Sequence, residues 1–110
     1  MIDWSQLDTL EAEMGDSFPE IVELFLEEAS EIVERLKAAD PHDGAALAAD
    51  LHALKGAALN LGLTGLATLS GEGEERAAAG QTGEIALPAL FACFFDSCSA
   101  LEKRSVRGAA

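Results

Sequence analysis

The sequence predicts an all-α protein, an up-down-up-down four-helix bundle with a short capping helix at its N-terminus. Three observations carry that reading. Apolar residues recur at three- and four-residue spacing through most of the 110 residues, which is the period of one helix face. Nowhere do apolar and polar residues alternate as they would along a strand. Glycine, proline and aspartate gather between the periodic segments, and helices joined by short loops pack antiparallel. With no internal repeat and no low-complexity tract, residues 1–110 read as a single domain.

Each helix follows from its local sequence. Leu7, Leu10 and Met14 set out a short first helix that ends at Gly15 and is expected to lie across the bundle as a lid. Asp16 or Ser17 then offers a cap for the second helix, with Pro19 in its first turn, where a missing N–H is tolerated. The stripe of that helix is Ile21, Phe25, Ala29, Ile32 and Leu36, widened by Val22, Leu26 and Val33. Glu27, Glu28, Glu31 and Glu34 crowd its outer face, and Arg35 and Lys37 offset part of their repulsion. Such a charge run is a solvated face with no catalytic part.

Asp40-Pro41-His42-Asp43-Gly44 is a turn by composition. Asp43 can cap a third helix, whose stripe Leu47, Leu51, Leu54, Ala58 and Leu61 leads to a stop at Gly62. Thr64 is the expected cap of the fourth helix, which carries Leu66, Leu69, Gly73 and Ala77 and is weakened by Gly71 and Gly73. After a loop from Gly80 to Gly83, Leu87, Leu90, Phe91, Phe94, Cys98 and Leu101 form the last stripe. Lys103, Arg104 and Arg107 suit the negative end of that helix.

Composition narrows the function. Twenty acidic residues against 7 basic ones give a net charge of −13, which argues against nucleic acid, where Lys and Arg must neutralise phosphates, and against an anionic membrane. No stretch approaches the ~18 uninterrupted apolar residues of a membrane span. The opening residues Met1-Ile2-Asp3-Trp4-Ser5 lack the basic start and apolar core of a secretory signal. A cytoplasmic monomer is the expectation. Cys93 and Cys98 fall on different faces of one helix, poorly placed to bridge or to share a metal, and read as small core or boundary residues. Two histidines far apart, without a ligand pattern, argue against a metal-binding protein.

The candidate site is on the third helix. His52, Lys55 and Gly56 stand at i, i+3 and i+4, hence on one face. At about 100° per residue the histidine points away from the apolar stripe, so a partner can reach it. The neutral nitrogen of an exposed imidazole is a nucleophile able to accept a phosphoryl group. Lys55 would set a compact positive charge beside the phosphohistidine. Gly56 removes the side chain that would crowd the incoming group, at a cost of roughly 1 kcal/mol against alanine inside a helix. Taken singly, these are a surface histidine, a solvated lysine and a glycine that lets another helix come close; their joint placement is what argues for chemistry. Ala45, Ala48, Ala49 and Leu59 offer small or apolar groups on the same face for a docking partner, and Ser70 and Glu74 on the next helix are within expected reach. His42 has no comparable neighbours.

The run from His52 to Gly62 resembles the histidine phosphotransfer (HPt) family of two-component phosphorelays, whose motif reads His, any residue, Leu, Lys, Gly, then Gly six on. His52, Leu54, Lys55, Gly56 and Gly62 all match it, and the stretch from Leu51 to Gly80 looks like the family's helix, turn and next helix. The resemblance implies a phosphocarrier that exchanges a phosphoryl group between His52 and the aspartate of a response-regulator receiver domain, with a hybrid histidine kinase as a further partner. Mg²⁺ is then expected in the receiver, and no cofactor on this chain. Glu74 falls where the family often has a Glu or Gln, which can accept a hydrogen bond from the imidazole. Ser70 and Gly73 stand where the family often has Cys and Leu, and Ala78 replaces a basic residue, which bears on packing and partner choice. No glycine-rich phosphate loop, Walker-type lysine or loop cluster of magnesium-binding carboxylates occurs, so the chain is not expected to use ATP.

Two rivals follow. One is the phosphoacceptor domain of a chemotaxis-type histidine kinase, with the ATP-binding and dimerisation parts elsewhere; a start at Met1 and a loose tail from Val106 to Ala110 favour a separate protein. The other is a helical adaptor in which His52 is never phosphorylated.

Overall fold

The computed structural model describes the backbone of residues 2–109 and the side chains of residues 2–103. Its helices are α1 (Trp4–Met14), α2 (Phe18–Ala38), α3 (Gly44–Asn60), α4 (Thr64–Ala78) and α5 (Leu87–Ala109), and no strand occurs among the described residues. α2 packs on α3, α3 on α4, α4 on α5, and α5 back on α2, so the four long helices close an up-down-up-down ring. The most extensive seam is the one between α3 and α4.

The apolar stripes meet inside that ring. Leu47, Leu51 and Leu54 of α3, Leu66 of α4 and Leu90 of α5 are fully buried, and α2 adds Phe25, Ala29, Ile32, Val33 and Leu36. Each fully buried leucine is worth roughly 1.5–3 kcal/mol, which is why the periodicity determines which faces turn inward. Phe18 extends the α2 stripe by a turn at its N-terminal end.

The loops show how the ends are satisfied. Asp43 Oδ1 accepts the Ala46 N–H at 3.1 Å, the cap its position predicts. At the far end of α3, Leu63 N–H donates to Ala58 C=O at 2.9 Å and Gly62 N–H to Leu59 C=O at 3.2 Å. This is a Schellman closure around a left-handed Gly62 with φ +72°. The same Gly62 receives α1: its carbonyl accepts the Asp3 N–H at 2.7 Å, and Gln6 Nε2 donates to Leu59 C=O at 2.7 Å. With Leu7 fully buried beneath it, the first helix is fastened to the α3–α4 corner.

Three expectations are corrected here. Neither Asp16 nor Ser17 caps α2, because Gly15–Ser17 form a 3₁₀ turn that runs straight into the helix. Ser17 already has helical backbone angles (φ −81°, ψ −11°) and makes no side-chain cap bond, whereas an N-cap needs an extended backbone to fold its side chain back. Thr64 is the first residue of α4 and not its cap; the cap position is Leu63, since Leu61, Gly62 and Leu63 are fully engaged in closing α3 and burying two leucines. α5 continues as far as Ala109, so the stretch from Val106 is helical up to that residue. The side chains of Arg104 and Arg107 lie outside the described residues. No described helix is long and apolar enough to cross a membrane.

Candidate functional site

Because Leu51, Leu54 and Ala58 turn wholly inward, the next positions round α3 are forced onto its flank, beside the seam with α4. His52 emerges there with its side chain 72% exposed. Its Nδ1 lies 2.7 Å from Glu74 Oε2, and Lys55 Nζ donates to Glu74 Oε1 at 3.1 Å. One carboxylate reaching over from α4 thus holds both the ring and the ammonium. It can do so because Gly73, the residue before it, faces the core, which puts Glu74 at the edge of the seam.

The electrostatics fix the proton. The Lys55 ammonium holds the Glu74 carboxyl below the usual glutamate range; partial burial works against this, and His52 adds to the lowering. An ionised carboxylate can only accept hydrogen bonds. In the neutral ring the proton therefore sits on Nδ1, donated to Glu74, and the lone pair belongs to Nε2 of an exposed imidazole. That is a nucleophile in a defined tautomer.

Gly56, one turn beyond His52, is exposed, and a Cβ placed there would meet nothing within 4 Å. The surface beside the ring is therefore bare of side chain, not filled by a neighbour. Ala45 and Ala49 are exposed on the same face, Leu59 is 52% exposed, and Ala48 is partly buried against the core.

Two site expectations change. Ser70 is not available to a partner: it is fully buried and its hydroxyl has no hydrogen-bond partner. It shares the inward line of α4 with Leu66, Gly73 and Ala77, a consequence of helical spacing that outweighs its being four residues from Glu74. Nor is Lys55 simply a solvated lysine; its side chain is 31% exposed and engaged by Glu74. The sequence offers lysine and glutamate on different helices, and their pairing is a product of the α3–α4 register.

Gly73, where the resembling family often has leucine, is buried, and a Cβ there would sit 3.1 Å from Leu51 Cδ1 and 3.2 Å from Ile85 Cγ2. Those two side chains close the space that a leucine would fill. Elsewhere, Arg35 pairs with Asp50 at 3.1 Å and Lys37 with Glu34 at 3.3 Å, on the outer faces of α2 and α3. Cys93 and Cys98 are free thiols whose burial pushes their pKa up, that of Cys98 to about 11. Among the described residues no group of three or more His, Cys, Asp or Glu is arranged to hold a metal ion.

A family model described as the Hpt domain matches residues 20–104, which takes in nearly all of the four-helix ring and the His52 site. No curated protein and no solved structure matches the chain.

Proposed function

The chain belongs to the Hpt domain family, and from that premise we propose that His52 is its phosphoacceptor, exchanging a phosphoryl group with the aspartate of a response-regulator receiver domain. Hpt domains are phosphocarriers that work in phosphorelays with response regulators and histidine kinases and lack kinase machinery of their own. The observation that carries the assignment is the bond from His52 Nδ1 to Glu74, which leaves Nε2 as the free nucleophile on a ring that is 72% exposed.

In the step proposed, the Nε2 lone pair attacks the phosphorus of the receiver's aspartyl phosphate. The N–P bond forms as the P–O bond to aspartate breaks, and the carboxylate stays on the receiver, where a bound Mg²⁺ would supply the balancing charge. The proton stays on Nδ1, where the Glu74 carboxylate balances the positive charge the ring acquires. Lys55, held on the same carboxylate as the ring, is the cation that would turn toward the new phosphoryl oxygens, and the bare surface at Gly56 leaves room for the partner. Ala45, Ala49 and Leu59 form the apolar apron on which the receiver rests, with Ala48 at its inner edge. The reverse transfer uses the same atoms.

The test is label transfer. Incubated with a receiver phosphorylated on aspartate, the wild type gains acid-labile label and His52→Gln gains none; equal labelling of the two proteins overturns the assignment.

A further inference from the structure

Lys55 stands on α3 and Glu74 on α4, and the lysine stem reaches the carboxylate by passing over α4 at Gly71. A Cβ at position 71 would sit 3.3 Å from Lys55 Cδ, closer than saturated carbons pack comfortably. A glycine inside a helix weakens it, and no backbone requirement accounts for this one, since its φ is not positive. The space it leaves is the space the lysine uses.

We propose that Gly71 is a positioning residue for phosphoryl transfer: its missing side chain is the slot that seats the Lys55 stem and, through Lys55, steadies Glu74 against His52. The inference rests on the phosphotransfer reading of His52. The chain of contacts is short and continuous. Gly71 leaves room for Lys55 Cδ, Lys55 Nζ holds Glu74 Oε1 at 3.1 Å, and Glu74 Oε2 meets His52 Nδ1 at 2.7 Å. With one carboxylate oxygen held by the lysine, the other is aimed at the ring. A side chain at 71 lifts the stem away from α4, a leucine further than a methyl, and the carboxylate then loses the donor that orients it.

Gly71→Ala and Gly71→Leu, each alone and combined with Lys55→Ala, test this in the full chain. Transfer from a phosphorylated receiver, the ring ¹⁵N shifts of His52 and the melting temperature are read together. The expected result is slower transfer, by about tenfold for leucine and less for alanine, with ring shifts moving away from the Nδ1–H tautomer and melting temperature unchanged or raised. No further loss is expected once Lys55 is already alanine, because the two changes then act on one contact. The alanine variant, a helix-favouring change, carries the test if the leucine variant does not fold. Wild-type rates and shifts in the variants overturn the proposal, and so does an equal slowing by leucine with or without Lys55, which would mark an obstacle to docking. A wild type that takes no label overturns the phosphotransfer reading itself, whereas the ring shifts still decide whether Gly71 sets the Lys55–Glu74–His52 contacts.

Discussion

The chain carries two histidines, both exposed, and they differ in everything but the side chain. His42 sits in the Asp40–Gly44 turn, where its backbone N–H donates to Asp40 Oδ1 at 2.9 Å and no described contact engages its ring. His52 stands on the flank of a long helix with its Nδ1 bound to a carboxylate, a lysine on that same carboxylate and a glycine one turn away. Exposure alone leaves an imidazole free to adopt either tautomer and any rotamer. Nucleophilicity at a chosen nitrogen requires a partner held by the fold, and only a helix packed against a second helix supplies one at this site.

The strongest way to break that contrast is to exchange the fates of the two residues. His52→Gln is expected to abolish phosphoryl uptake from a receiver, while His42→Gln leaves it at the wild-type rate; phosphorylation that survives the first change and falls with the second would invert the assignment. Next in size is Gly56→Leu. A side chain there points into open space in the free protein, so the fold should be unharmed, and helix propensity favours leucine by roughly 0.5–1 kcal/mol. Transfer is nevertheless expected to drop about a hundredfold, because the receiver must bring its phosphoryl group into line with Nε2 across that surface. An unchanged rate alongside a raised melting temperature would remove the steric role of Gly56.

Much of this contrast is legible in the sequence, and the reason is periodicity. The stripe Leu47, Leu51, Leu54, Ala58 and Leu61 assigns an inner face to α3, and the outward place of His52, Gly56 and Leu59 follows by rotation alone. The cap at Asp43 and the stop at Gly62 are local and legible for the same reason. What depends on two helices at once is not. The engagement of Lys55 by Glu74 is set by the register of α3 against α4, which no single-helix pattern encodes, whereas the burial of Ser70 follows from its place on the inward line of α4 with Leu66, Gly73 and Ala77. The caps at Ser17 and Thr64 fail because neighbouring closures, a 3₁₀ turn and the Schellman motif around Gly62, use the backbone first.

The carboxylate that separates the two histidines can itself be removed. Glu74→Ala takes the partner from both His52 and Lys55 and is expected to slow transfer by about tenfold, with the His52 ring shifts moving toward those of His42. Its pH behaviour sharpens the point. Since Lys55 lowers the Glu74 pKa in the fold, the bridge contributes to stability in full above the ordinary glutamate value of about 4.3 and is lost as pH falls through the lower, folded value. A carbon-13 titration of Glu74 should therefore show a midpoint below that reference, rising in Lys55→Ala; an identical midpoint in the two proteins would mean that Lys55 does not hold the carboxylate.

The smallest expected effect extends the contrast from imidazole to leucine. Leu24 and Leu59 are both exposed, at 56% and 52%, yet only Leu59 lies on the face that carries His52, two turns along α3 and beside a corner pinned by Gln6. An exposed leucine on a rigid surface gives a visiting protein apolar area, and covering the exposed half of such a side chain is worth about 1 kcal/mol. Leu59→Ala should thus weaken receiver binding about fivefold, raising the receiver concentration needed for half-maximal transfer while the saturated rate holds, because the His52–Glu74 contact is untouched. Leu24→Ala on α2 should change neither quantity. If the two leucines prove equivalent, docking does not follow the His52 face, and the apolar apron assigned to α3 has to be sought on another side of the bundle.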